Sequence, residues 1–338
     1  MITVDPEIPV PPLYYGGIER IVYMLVCGLV EKGHEVHLFA HPESTTPARL
    51  IPYGGKLSGS LRDTMLNVLQ IKNYIKKIGK IDIIHSFSRL AYLFLLMKSS
   101  IPKIQSYQRQ ITPRSIYLGN LLGGQTITFT ACSKYCANTA DFAGGRWEII
   151  PNGVPIEKYQ FVPDVSPDAP LVFLGRVERI KGVHTAIEVA KRTGRHLIIS
   201  GNHASSGKDH EYFIKEVLPH CDGEMIKYIG AVDDIAKNEL LGNAAALLFP
   251  IEWDEPFGIV MVEAFACGTP VIAFSRGATP EVIRHKVTGF ICNSIDDMVE
   301  AIKNIPLIER ANCRREAGEH FSGKVITEKY EQLYYSLI

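Results

Sequence analysis

The feature that most limits how this chain can fold is an alternation of short apolar strands with helical periods, run through twice. The first series opens on the apolar residues 2–4. After a proline-rich loop, Ile18, Ile21, Val22, Leu25, Val26 and Leu29 recur at the helical period, which predicts a helix over 18–32 ended by Gly33. Residues 35–40 and 82–87 read as strands, short and β-branched as buried parallel strands are, with a helix over 61–78 between them. Segments 127–133 and 147–150 continue the pattern. It breaks between 151 and 170, where Pro151, Pro155, Pro163, Pro167 and Pro170 cluster with the turn pair Asn152-Gly153, a linker signature. A second series follows, with strands expected at 171–177, 196–201, 225–229, 246–250 and 270–274. Helices are expected at 183–192, 212–218, 236–243 and 259–267. Two βαβ series joined by a linker predict an α/β protein of two doubly wound, Rossmann-like domains. Ligands of such domains sit beyond the carboxyl ends of the strands, so the cleft between the domains is the expected site.

The chain's 338 residues suffice for two domains, and 46% apolar with 21% charged residues fit a globular, soluble class. Net charge is zero but unevenly placed: residues 1–150 carry 16 Lys+Arg against 10 Asp+Glu, and residues 151–338 carry 20 against 26. The basic half would suit an anionic acceptor or peripheral contact with a membrane surface, as would the stripe Lys72, Lys76, Lys77 and Lys80; solvated faces would give the same count. Seven scattered cysteines fit a reducing, cytoplasmic setting. Cys132 and Cys136 lack a second ligand pair nearby, so no metal is expected, and no nucleic-acid partner is expected either. No signal peptide is expected, and the longest apolar run, 90–97, is too short to span a bilayer.

Four loops at strand ends carry the candidate chemistry. From Glu255 to Glu263, two carboxylates lie eight residues apart around the turn Pro256-Phe257-Gly258, which opens an apolar helix. The glycine allows close approach, the helix start offers free N–H groups and a positive dipole end, and carboxylates accept bonds from hydroxyls. Acidity at a helix start explains Glu255 cheaply. Glu263 falls among Val260, Met261, Val262, Ala264 and Phe265, where a carboxylate needs a partner that a hydroxylated ligand would supply. Arg176 and Lys181, across the turn after strand 171–177, can converge on one diphosphate and stabilise charge that grows as it departs. Tyr15-Gly16-Gly17 precedes the first helix, where its amides either face a phosphate or simply form a turn. His85 interrupts an apolar strand near its carboxyl end, as a ligand contact or as a core histidine. No Gly-x-Gly-x-x-Gly follows either first strand, which argues against a nicotinamide enzyme.

Taken together, these residues resemble the retaining, family 4 glycosyltransferases of GT-B fold, the glycosyl transferases group 1. In the first half the matching segments are Tyr15-Gly16-Gly17-Ile18-Glu19-Arg20, Gly33-His34-Glu35-Val36, Asp82-Ile83-Ile84-His85 and Pro151-Asn152-Gly153-Val154. In the second they are Leu174-Gly175-Arg176 with Lys181-Gly182, Gly230-Ala231-Val232, and the run from Pro250 to Gly289. The resemblance implies an acceptor-binding domain at 1–155, joined by a returning C-terminal helix at 321–338, and a nucleotide-sugar domain at 156–320. It implies that Arg176 and Lys181 hold the donor diphosphate, that Glu263 binds the ribose and that Glu255 contacts the donor sugar. Amides around Phe257, Gly258 and Ile259 would meet sugar and phosphate, Gly16 and Gly17 the phosphate and acceptor, His85 the transferred sugar, and the backbone at Gly230 and Val232 the base. No Asp-x-Asp motif is present, in keeping with metal-independent transfer and no cofactor. The implied activity moves a hexose from a nucleoside-diphosphate sugar to a hydroxyl on a glycan, lipid or small molecule. A glycoside phosphorylase, a nucleotide-sugar epimerase and a non-catalytic nucleotide-sugar-binding protein are the alternatives.

Overall fold

The structure, a computed structural model, describes residues 1–13, 16–140 and 143–338, so Tyr15 lies outside the described residues. The chain divides into two compact units: Met1–Asn152 with Gly323–Ile338, and Gly153–Ser322.

The first unit holds seven parallel strands: β1 (Ile2–Thr3), β2 (His37–Ala40), β3 (Arg49–Pro52), β4 (Ile84–Ser86), β5 (Lys103–Tyr107), β6 (Ile127–Ala131) and β7 (Trp147–Ile149). Their order is β3-β2-β1-β4-β5-β6-β7. Helices α1 (Gly17–Glu31), α2 (Leu61–Ile78), α3 (Pro113–Gly123) and α4 (Lys134–Asn138) connect them. The chain builds outward from β1 to β3 and then turns back at β4. Right-handed crossovers put the helices of the two halves on opposite faces, which opens a crevice at the carboxyl ends of β1 and β4.

The second unit repeats the plan with β8 (Leu171–Leu174), β9 (Leu197–Ser200), β10 (Ile226–Tyr228), β11 (Ala246–Phe249), β12 (Val271–Phe274) and β13 (Gly289–Cys292), in the order β10-β9-β8-β11-β12-β13. Its helices are α5 (Val183–Thr193), α6 (Gly207–Tyr212), α7 (Asp234–Gly242), α8 (Ile259–Cys267), α9 (Thr279–Val282), α10 (Ile295–Lys303) and α11 (Arg310–Phe321). The reversal here falls between β8 and β11. Central-strand residues Val172, Leu247 and Ile272 are fully buried, as their apolar runs require. The helix expected at 212–218 begins earlier, as α6, and continues through a π-helical turn at Phe213–Val217.

The last helix, α12 (Gly323–Tyr335), belongs to the first unit. A Cβ placed on Gly28 of α1 would lie 2.5 Å from Thr327 Oγ1, so the glycine lets α1 and α12 approach closely. Glu331 of α12 takes Lys32 Nζ and His34 Nε2, each at 2.8 Å. Among the described residues no helix is long and apolar enough to cross a membrane.

The sequence reading missed β5 because its strand is polar. Lys103, Gln105 and Ser106 are all buried. Lys103 Nζ donates to the carbonyls of Ser99 (2.8 Å) and Ile101 (2.6 Å) and to Thr126 Oγ1 (2.9 Å), and burial lowers its pKa to about 8. The proline-rich stretch after 151 is likewise packed rather than free. Val162 donates to the Cys267 carbonyl at 3.1 Å and accepts from Arg310 Nε at 2.7 Å. The buried Arg310 guanidinium also donates to the carbonyls of Ala244 and Gly242, both at 2.8 Å, and to Thr269 Oγ1 at 2.9 Å. Arg310→Met would leave these acceptors buried and unpaired. Urea unfolding should show a loss of roughly 2–4 kcal/mol; a loss below about 1 kcal/mol would contradict the anchoring role.

Candidate functional site

In the second unit β11 lies between β8 and β12, so the loops that follow these three strands adjoin. The loop after β8 carries Arg176 and Lys181, the loop after β11 carries Trp253 and Glu255, and the loop after β12 carries Gly277. Lys181 Nζ and Glu255 Oε2 pair at 2.6 Å, and Trp253 Nε1 donates to the same oxygen at 3.0 Å. The ammonium also sits 4.8 Å from the Trp253 ring centroid. The paired side chains are only 15% and 17% exposed, so water screens them less than a surface pair. Arg176 Nη1 pairs with Glu178 Oε1 at 2.5 Å on a more open edge.

Backbone packing fixes Glu255. Ala278 N–H donates to its carbonyl at 2.9 Å. Gly277 has φ +54°, and a Cβ there would lie 2.3 Å from the Glu255 carbonyl oxygen, so only glycine fits against this backbone. Phe257 is buried and meets the Phe321 ring edge-on at 5.9 Å between centroids. The aromatic ring anchors the turn, leaving Gly258 and Ile259 to offer backbone. α8 begins there with no side-chain cap on its N-cap Gly258, so the first N–H groups and the positive dipole end are available to an anion. Gly230 and Val232 follow β10 at the outer edge of the sheet, two strands from β8. The Gly230 carbonyl accepts from Gly201 N–H and Ser200 Oγ, both at 2.9 Å.

Glu263 corrects the sequence argument. The partner that its burial demands is supplied by the protein, since Oε1 accepts from Lys237 Nζ at 2.6 Å and from Tyr159 Oη at 2.8 Å. Both bonds fall on one oxygen. Lys237 on α7 and Tyr159 in the proline-rich stretch are distant in sequence, and periodicity gives no sign of them.

In the first unit Gly16 and Gly17 open α1 without a side-chain cap. A Cβ on Gly16 would lie 2.7 Å from Pro12 Cβ, whereas one on Gly17 would meet nothing within 4 Å. His85 does not present itself to a ligand, and its expected place beside the transferred sugar is withdrawn. The side chain is fully buried, with Nδ1 bonded to Tyr334 Oη at 2.7 Å and Nε2 to Ser106 Oγ at 2.6 Å. The rings of Phe87 and Tyr330 enclose it at 4.3 and 4.9 Å. Burial pushes its pKa well below the usual histidine value, so it serves as a neutral fastener for α12.

Charged groups outside those candidates gather at the β1/β4 reversal. Asp5 follows β1, accepts Arg89 N–H at 3.3 Å and pairs with Arg109 Nη2 at 3.1 Å. Glu19, in the first turn of α1, is 8% exposed and makes no ion pair among the described residues. The acids bordering the Gly16-Gly17 turn were the available signal.

Comparison with known proteins gives the family and the fold. Residues 15–158 match the family model described as Glycosyltransferase Family 4, and residues 157–319 match Glycosyl transferases group 1. Glycogen synthase of Mycobacterium tuberculosis is 24% identical over 91% of this chain and 86% of its own length. The structure of sucrose-phosphate synthase from Thermosynechococcus elongatus superposes with a TM-score of 0.83 over 99% of this chain and 98% of that one, at 20% identity. Anabaena HepE in complex with UDP-glucose gives 0.76 over 99% of each chain at 17% identity. The chain belongs to the family 4 glycosyltransferases and has the GT-B fold.

The buried acid offers a test of the first unit's electrostatics. Burial holds the Glu19 carboxyl above its usual pKa, and Asp5 and Glu7 add to the shift as like charges. The folded protein therefore binds this proton more tightly than the unfolded chain does. The resulting stability is complete below the ordinary carboxyl value and is lost as pH rises through the raised one. Glu19→Gln should melt higher than the parent at about pH 7.5, with the gain shrinking at about pH 4. Equal gains at both would contradict the reading.

Proposed function

We propose that this glycosyltransferase moves a hexose from a nucleoside-diphosphate sugar to a hydroxyl acceptor, with retention at the anomeric carbon and no metal ion. The observation that carries the reading is the half-buried Lys181–Glu255 pair beside the uncapped start of α8. A cation and free amides side by side suit a diphosphate, and a carboxylate next to them suits a sugar hydroxyl. HepE, crystallised with UDP-glucose, supports a nucleotide-sugar as donor.

In this reading Lys181 and Arg176 receive the diphosphate, exchanging part of their bonds to Glu255 and Glu178 for phosphate oxygens. Glu255 grips a hydroxyl of the donor sugar. Amides at Phe257, Gly258 and Ile259 meet phosphate and sugar, the second oxygen of Glu263 takes the ribose, and backbone at Gly230 and Val232 borders the base. Gly16 and Gly17 lie against phosphate and acceptor. The bond from anomeric carbon to phosphate oxygen breaks while the acceptor oxygen attaches on the same face. The acceptor's proton passes to the departing diphosphate, so no side-chain nucleophile is needed, unlike the paired carboxylates of retaining glycosidases. The cations act where charge grows, which makes them worth more in the transition state than in the bound donor.

Incubation with a panel of nucleotide-sugars and hydroxyl acceptors, read by mass spectrometry, tests this directly. Diphosphate should be released with a glycosylated product of retained configuration, and chelator should not abolish it. Turnover of a disaccharide with phosphate and no nucleotide would mean a phosphorylase, an interconverted donor sugar an epimerase, and donor binding without turnover a binding protein. Lys181→Ala should lower kcat about a hundredfold while weakening donor binding less than tenfold. Equal losses in both would remove its transition-state role.

A further inference from the structure

The crevice at the carboxyl ends of β1 and β4 holds a polar cluster that packing within the fold does not satisfy. Gln105 of β5 is 1% exposed. Its Nε2 donates to the Ser88 carbonyl at 2.8 Å, but its Oε1 is buried and has no hydrogen-bond partner. Just past the strand, both amide atoms of Gln108 are buried and, among the described residues, unpartnered. A buried polar atom left unpaired costs on the order of 1–3 kcal/mol, and three such atoms on two neighbouring glutamines call for a partner that the fold does not supply.

Hydrogen bonds and ion pairs link these groups, and Gln108 adjoins them in sequence through Arg109. Ser88, held by Gln105, precedes Arg89, whose N–H donates to Asp5. Arg109, next to Gln108, pairs with the same carboxylate. Glu19 lies close enough to Asp5, Glu7 and Arg109 to feel their charges. Glu7 in turn accepts from Ser58 N–H at 2.6 Å, and Arg89 Nη1 donates to the Ser58 carbonyl at 2.8 Å. The groups thus come from both sides of the strand-order reversal, the position where open α/β sheets bind ligands.

Their chemistry is selective. Amides both donate and accept, and carboxylates accept, which matches hydroxyl groups that do both. Arg109 is already engaged by Asp5 and Arg89 by the Ser58 carbonyl, while Glu7 and Glu19 lie near Asp5, so three carboxylates outnumber two engaged guanidinia and a phosphate or carboxylate entering here would meet like charge. We propose that Asp5, Glu19, Gln105 and Gln108 form the acceptor subsite, and that it selects an uncharged polyhydroxyl acceptor, a sugar or polyol, over a phosphorylated or carboxylated one. The inference rests on the transferase reading. It reverses what the basic charge count of the first half suggests, because that count sums distant faces and the subsite is acidic.

The test uses the full chain with the donor that the panel identifies. Acceptors are offered in matched pairs: glucose against glucose monophosphate, glycerol against glycerol phosphate, and maltose as a larger neutral sugar. The neutral member of each pair should stimulate diphosphate release at least about tenfold more than its phosphorylated counterpart, a factor equal to about 1.4 kcal/mol. Gln108→Ala should raise acceptor KM about tenfold or more, and by more than it raises donor KM. The conservative Gln108→Asn should recover part of that loss. Asp5→Asn with Glu19→Gln should narrow the discrimination against phosphorylated acceptors, and its fold is checked independently by melting. Preference for a phosphorylated member, or equal effects of Gln108→Ala on both KM values, overturns the acceptor assignment alone. Failure to turn over any donor overturns the transferase reading, and this proposal with it.

Discussion

The reversal of strand order, once in each sheet, is the constraint on which the functional geometry depends. At β1/β4 and at β8/β11 successive crossovers pass to opposite faces, and the loops leaving the two strands diverge instead of covering one another. Lys181 follows β8 and Glu255 follows β11, so their ion pair spans one reversal. Asp5 follows β1 and Arg89 follows β4, so their contact spans the other. The two places have opposite character. One offers a cation, an indole and an open helix start, and the other offers amides and carboxylates with two engaged guanidinia. An anion suits the first and a neutral polyol the second, and a glycosyl transfer needs both.

Several buried charges in this fold are explained by the fold itself. Glu263 rests on Lys237 and Tyr159, Arg310 on three carbonyls and a hydroxyl, and Lys103 on two carbonyls and a hydroxyl. His85 is held between Tyr334 and Ser106. Each is what burial of a polar group requires: a partner close by and well aligned. Among the described residues Gln108 and the Oε1 of Gln105 have none, and neither do Tyr53 Oη, Arg195 Nε, Thr279 Oγ1 and Thr327 Oγ1; of these, the two glutamines adjoin the β1/β4 reversal through Ser88 and Arg109.

That distinction also marks how far the sequence could be read. Apolar strands and the helix at 259–267 were legible, because hydrophobic periodicity is local. The edge strands β3 and β13 and the polar strand β5 were not, the edge strands being short and β5 because nothing local shows that Lys103 and Gln105 are buried. For Glu263 and His85 the sequence showed an anomaly, a polar residue among apolar ones, without showing what resolves it. The resolving partners lie 26 and 104 residues away for Glu263 and 21 and 249 for His85, a range at which pattern carries no signal. That the loops carrying Arg176, Lys181 and Glu255 adjoin was legible, because each flanks a strand end with a glycine nearby. Trp253 and Gly277 were missed, since an indole and a glycine near a turn have many ordinary explanations.

The central claim is that the Lys181 cation serves the charge of a departing diphosphate. The most direct measurement compares the affinities of a nucleoside diphosphate and the corresponding monophosphate for the parent protein and for Lys181→Met. The account predicts that the diphosphate binds about tenfold or more tighter to the parent, and that Lys181→Met removes most of that difference while leaving monophosphate affinity nearly intact. Equal affinity for the two nucleotides in the parent, or a difference that survives the substitution, would contradict it.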